Sequence, residues 1–127
     1  MKGLLGIGKY LFAIPMAVFG IMHFMSAADM AAMAPFGGQF IIYLTGAALL
    51  AAAVSIIIGK MDRLASLLLG IMLLIFALSI HLPGVINAGE DASQMAMSMS
   101  NLLKDIALAG GAFGYGLLAK DHAVIGD

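Results

Sequence analysis

From residue 39 to residue 59 the chain runs without one charged side chain, and three other stretches come close to matching it. A helix rises about 1.5 Å per residue and the hydrocarbon core of a bilayer is about 30 Å thick, so about 20 apolar residues suffice to cross it. Four spans are predicted on this basis, at about residues 4–25, 39–59, 64–86 and 101–119. Lys9 interrupts the first, His81 the third, and Lys104 and Asp105 fall in the first turns of the fourth. Each is a continuous apolar run, not a ten-residue stretch of alternating character, so helices are expected rather than barrel strands. A cleaved signal peptide is the alternative for the first run. Its length exceeds an ordinary signal core of about 7–15 residues, and His23 would sit inside it.

Of the 127 residues, 63% are hydrophobic and 10% charged. Soluble domains run near 45–50% and 25%, and a fold this small could not hide the excess from water. Lipid is the expected solvent and the bilayer the first partner. Disorder is excluded by hydrophobicity, and nucleic-acid binding by a net charge of −1 with no basic surface. The absence of cysteine removes disulfides, thiolate catalysis, iron–sulfur clusters and covalent haem attachment. A single domain over 1–127 is expected, an all-α bundle of four transmembrane helices. A short interfacial helix over 27–34, stopped by Pro35, a tight turn at 60–63 and an irregular loop at 87–100 would connect them.

Lys2, Lys9, Lys60, Arg63 and Lys120 fall on one side of this topology, and Asp29, Glu90 and Asp91 on the other. Lysine and arginine favour the cytoplasmic side, so both termini are predicted to be cytoplasmic. Small residues let membrane helices approach closely. They recur at helical spacing as Gly6, Ala13, Ala17 and Gly20; Thr45, Ala48, Ala52, Ser55 and Gly59; Ser66, Gly70 and Ala77; and Asp105, Ala109, Ala112 and Gly116.

The polar residues continue these stripes. Counted from the cytoplasmic ends, His23 lies about 28 Å up, His81 about 25 Å, Lys104 about 22 Å, and Asp105 and Thr45 about 21 Å. His23, His81, Lys104 and Asp105, with Thr45 and Tyr43 from the second span, are therefore the candidates for a cavity in the outer third of the membrane. No comparable group is expected in the inner half. Ionisable residues within spans usually face the bundle or a wet cavity; the alternative is a set of groups at the headgroup interface, with Lys104 snorkelling. A first-turn lysine opposes the helix dipole and needs another partner. Asp105, its sequence neighbour, points about 100° away and is expected to pair with His23 or His81 instead. Pro15 is expected to bend the first helix and Pro83 to break or end the third beside His81. His122 has no assigned role.

Several short motifs in order resemble the DoxX family of membrane proteins. They are Gly20-Ile21-Met22-His23-Phe24, Met33-Ala34-Pro35, Tyr43-Leu44-Thr45-Gly46, His81, Asn101-Leu102-Leu103-Lys104-Asp105 and Ala109-Gly110-Gly111. The likeness covers about residues 8–118 and is to short DoxX-like proteins. It implies a four-helix, multi-pass protein of the bacterial inner membrane. The family name comes from a subunit linked to a thiosulfate:quinone oxidoreductase, and some members associate with membrane oxidoreductase complexes. His23, His81, Lys104 and Asp105 match recurrent polar positions; no catalytic residue is carried over.

Three functions compete. A quinone-associated subunit would use His23 or His81 as a donor and Asp105 as a proton relay, with electrons supplied by a membrane or periplasmic oxidoreductase partner. An assembly or scaffold subunit would use the small-residue faces, and the polar cluster would only lock the bundle. Metal binding would draw on Met95, Met97 and Met99 for Cu(I), or on His23 and His81 for haem b. Methionine is an ordinary apolar filler and positions two apart on a helix do not face each other. A transporter is disfavoured by the absence of a midplane site and repeats.

Overall fold

The computed structural model describes residues 2–32 and 37–121, all of whose regular structure is helical. Helix α1 (Lys2–Gly6) leads through Ile7 into α2 (Gly8–Met25), and α3 (Ala27–Ala31) follows. Then come α4 (Gly38–Ile58), α5 (Asp62–Phe76), a π-helical turn (Ala77–His81), α6 (Leu82–Ile86) and α7 (Ala92–Leu118). Three runs, Gly3–Met25, Gly38–Ile58 and Asp62–Ile86, are long and apolar enough to cross a membrane. Met33, Pro35 and His122 lie outside the described residues, as does the end of the short helix expected over 27–34.

The third run does not end at its proline. A proline has no N–H to give and its ring clashes with the carbonyl four residues back, here that of Ser79. The backbone meets both problems by widening one turn. The Leu82 N–H bonds to the Ala77 carbonyl, five residues back, and Pro83 falls in the first turn of the resumed α-helix. His81 closes the wide turn. Helix α2 continues through Pro15.

The fourth long helix begins nine residues earlier than the apolar run suggests. Asp91 caps it, its Oδ1 accepting the Gln94 backbone N–H at 3.1 Å. Asp91 and Gln94 have the spacing of a capping box. The 87–100 stretch is thus a short turn plus helix, and Lys104 lies well inside α7, so the first-turn dipole argument for it fails. Met95, Met97 and Met99 fall on successive sides of this extension, with Met97 61% exposed. Gln94, Asn101, Lys104 and Asp105 keep α7 from being as apolar as the other three runs.

One core holds the four long helices together. Ala13 and Met16 come from α2, Leu49, Ala52, Ala53 and Ile56 from α4, Leu69 and Leu73 from α5, and Ala109 and Ala112 from α7. Helices α2 and α4 meet at Gly20 and Gly46, where a Cβ on Gly46 would stand 2.8 Å from the Cβ of His23. Only glycine allows that approach. Helices α5 and α7 run antiparallel, with Gly70 against Phe113 and Gly84 of α6 against Ser98. Large side chains such as Leu11, Leu44, Leu68 and Leu103 point outward, as lipid-facing positions would. The buried stripe of α7 includes Asp105, Ala109, Ala112 and Gly116 as expected, and that of α5 continues through Ser66, Gly70 and Ala77. In α4 the buried face is Ile42, Gly46, Leu49, Ala53 and Ile56, with Ala52 beside it; Ala48 is exposed.

Candidate functional site

Near one end, the helices part around a cavity of about 540 Å³. Phe19, Met22 and His23 of α2, Met30 of α3, Ile42, Thr45 and Leu49 of α4, Phe76 of α5 and Leu108 of α7 contribute to its lining. The polar wall opposite is His81, Asn101, Lys104 and Asp105.

Asp105 is buried, and its Oδ2 lies 3.0 Å from His81 Nε2. The π turn brings His81 onto α7 for this contact. The Lys104 ammonium stands 3.8 Å from Asp105 Oδ1, 3.5 Å from Asn101 Oδ1 and 5.0 Å from the centre of the Phe19 ring. Lys104 and Asp105 thus pair although they are sequence neighbours, contrary to the expectation from their 100° separation. The Lys104 side chain is 44% exposed and reaches the Oδ1 side of the carboxylate.

His23 is in the cavity wall but not in this ion cluster. Its Nδ1 donates to its own helix, to the Phe19 carbonyl at 2.7 Å, and its ring stacks on Phe76 at 6.5 Å between centroids and 20° between planes. Thr45 lines the cavity with its hydroxyl donated to the Ile41 carbonyl at 2.8 Å. Tyr43 does not line it. Two residues along a helix is a turn of about 200°, so Tyr43 faces outward and stacks against Phe24 at 5.7 Å. Met95, Met97 and Met99 are likewise absent from the lining. Among the described residues no three His, Asp or Glu side chains are grouped to hold a metal.

A second polar cluster, not expected from the sequence, lies at the opposite end of the molecule. Asp62, at the start of α5, is 2% exposed. Its Oδ2 accepts the Tyr115 hydroxyl at 2.9 Å and its Oδ1 the Asp121 backbone N–H at 3.2 Å. Asp121 in turn accepts the Met61 N–H at 2.5 Å. Met61 holds φ +54°, a left-handed conformation disfavoured for a residue with a Cβ. Gly59, at φ +73°, makes the same turn without that penalty. Lys9 reaches across to the Ile57 carbonyl at 3.3 Å. The C-terminal end of the described chain thus meets the 59–62 turn and Lys9 bonds to the last turns of α4, at one end of the molecule, and the cavity lies at the other.

Compared with known protein families, with curated proteins and with solved structures, the chain matches none.

Proposed function

We propose that this chain is a DoxX-like, four-span protein of the bacterial inner membrane whose cavity binds a quinone-type ligand for a membrane redox complex. The observation that carries the reading is the cavity itself. Its volume of about 540 Å³ falls in the range typical of small-ligand sites, about 300–1,000 Å³. Its walls are largely apolar and aromatic, its charged groups are gathered at His81, Asp105 and Lys104, and His23, Thr45 and Ser79 add polar atoms elsewhere in the wall. A flat apolar ring with polar edge atoms suits that division. With no electron carrier among its side chains, the chain needs an oxidoreductase partner to supply or take electrons.

In this reading α7 is the fourth span, its Asp105 hydrogen-bonded by His81 and paired with the Lys104 ammonium. The end bearing Lys9, Lys60 and Arg63 is cytoplasmic, together with both termini, and the Asp29, Glu90 and Asp91 end is external. Haem b is less well supported because His81 Nε2 is already engaged by Asp105. Copper is less well supported because the three methionines diverge around α7. An assembly role is the second reading. It is favoured by a groove of about 240 Å³ between α4 and α5, lined by Ala48, Ala51, Ala52 and Ser55, where a partner helix could approach closely.

The test is to purify the full chain in detergent, extract it with organic solvent, and scan both protein and extract. Quinone or quinol in the extract of wild type, and its loss from Asp105→Asn, is the expected result. A haem absorption band, bound copper, or a quinone-free extract from protein that also ignores added quinones and quinols would sink the proposal.

A further inference from the structure

The cavity's hydrogen-bonding groups are unevenly divided between donors and acceptors. A backbone carbonyl only accepts, so the 2.7 Å contact from His23 Nδ1 to the Phe19 carbonyl puts the ring proton on Nδ1. In the neutral imidazole, Nε2 on the far edge of the ring then carries a lone pair. Among the described residues nothing donates to it. Thr45 has likewise given its hydroxyl proton to the Ile41 carbonyl, with Ile42 at 3.1 Å as a second acceptor. Ser79, also in the wall, has given its own to the Ile75 carbonyl at 2.6 Å. Each keeps oxygen lone pairs. The Asp105 carboxylate only accepts, and it takes the His81 Nε2–H.

Three helices have thus consumed the protons of their own cavity-lining side chains by bonding back onto their main chains. The remaining donors, the Lys104 ammonium and the Asn101 amide, stand together on α7 beside Asp105. A ligand carbonyl facing His23 and Thr45 would find only lone pairs. A ligand hydroxyl there would find acceptors.

We infer that the cavity selects the hydroxyl form of its ligand: a phenolic, quinol-type ring donating to His23 Nε2 and Thr45 Oγ1, in preference to the carbonyl form. This rests on the reading of the cavity as a site for ring-bearing amphiphiles and specifies which redox form it holds. The stacked rings of His23 and Phe76 give such a ligand a flat wall to lie against. An unmet hydrogen bond in an apolar site costs enough to set the preference at about tenfold.

The test uses the detergent-solubilised full chain, under argon and above the pH at which imidazoles are protonated. Three matched probes are titrated: a short-chain prenylated hydroquinone, the corresponding benzoquinone, and the hydroquinone dimethyl ether. The hydroquinone is expected to bind about tenfold more tightly than the other two. His23→Phe keeps a flat ring beside Phe76 but has no lone pair; it is expected to erase most of that preference. Thr45→Val, a near-isosteric change, is expected to narrow the preference partly and carries the test if His23→Phe loses its helical circular dichroism. A benzoquinone that binds as tightly as the hydroquinone overturns the inference and leaves the quinone-site reading standing. A preference that survives in both folded variants also overturns it. Failure of all three probes to bind sinks both.

Discussion

Asp62 and Asp105 are both buried carboxylates on long helices, yet their surroundings make them different kinds of group. Asp62 is met on both oxygens by partners from the chain's own far end, the Tyr115 hydroxyl and the Asp121 N–H. These contacts tie α5, α7 and the 59–62 turn together. Asp105 is met by His81 and Lys104, and all three also face an open cavity. A buried charge satisfied wholly by structural contacts is a clasp. A charge in a cavity wall, shared among titratable side chains, remains available to something that enters. Burial alone does not tell the two apart; the identity of the partners and the cavity beside them do.

The sharpest way to break this comparison is to remove each carboxylate and ask what is lost. Asp62→Ala leaves the Tyr115 hydroxyl with only the Ile56 carbonyl at 3.4 Å and the Asp121 N–H without its acceptor, and so loosens the hold of Asp121 on the Met61 turn. It is expected to cost about 2–4 kcal/mol of stability, read from denaturant unfolding in mixed micelles, while the cavity's affinity changes little in the fraction that folds. Gly46→Ala drives a methyl against His23 and the Gly20 carbonyl where α2 and α4 cross. A loss of about 1–3 kcal/mol is expected, and, unlike Asp62→Ala, it should also weaken ligand binding because His23 is displaced. Tyr115→Phe removes one bond of the clasp and is expected to cost about 1 kcal/mol, with binding intact; a larger loss of binding than of stability would make the clasp part of the site. The smallest effect is expected from Met97→Leu, within about 0.5 kcal/mol and without effect on any metal content, because the side chain lies outside both clusters.

How far these regions can be read from sequence follows from what each depends on. The α7 stripe was legible because Asp105, Ala109, Ala112 and Gly116 contrast with the Leu103, Ile106 and Leu117 on its outer face. The α4 face was not, and the expected stripe falls about one position away from the buried one. In lipid both faces of a helix are apolar, so hydropathy no longer marks the inside. Apolarity alone misplaces the start of α7, although the Asp91–Gln94 cap is written in the sequence. The π turn replaced the break expected at Pro83 because one wide turn removes the clash at lower cost than ending a helix in an apolar setting. Depth alone groups Tyr43 with Thr45; the angle around the helix separates them. Asp62 carries no such signal in the sequence. Its partners lie 53 and 59 residues away, and only the antiparallel packing of α5 on α7 brings them together.

The distinction between clasp and site comes down to one paired measurement: calorimetric titration of the prenylated hydroquinone into wild type, Asp105→Asn and Asp62→Asn, with the unfolding midpoint of each recorded in the same detergent. Asp105→Asn is expected to keep a near-wild-type midpoint and lose at least about tenfold in affinity, and Asp62→Asn to lose stability while its folded fraction binds as wild type does. The reverse pattern, with affinity following Asp62 and stability following Asp105, would contradict the assignment of the cavity as the functional site.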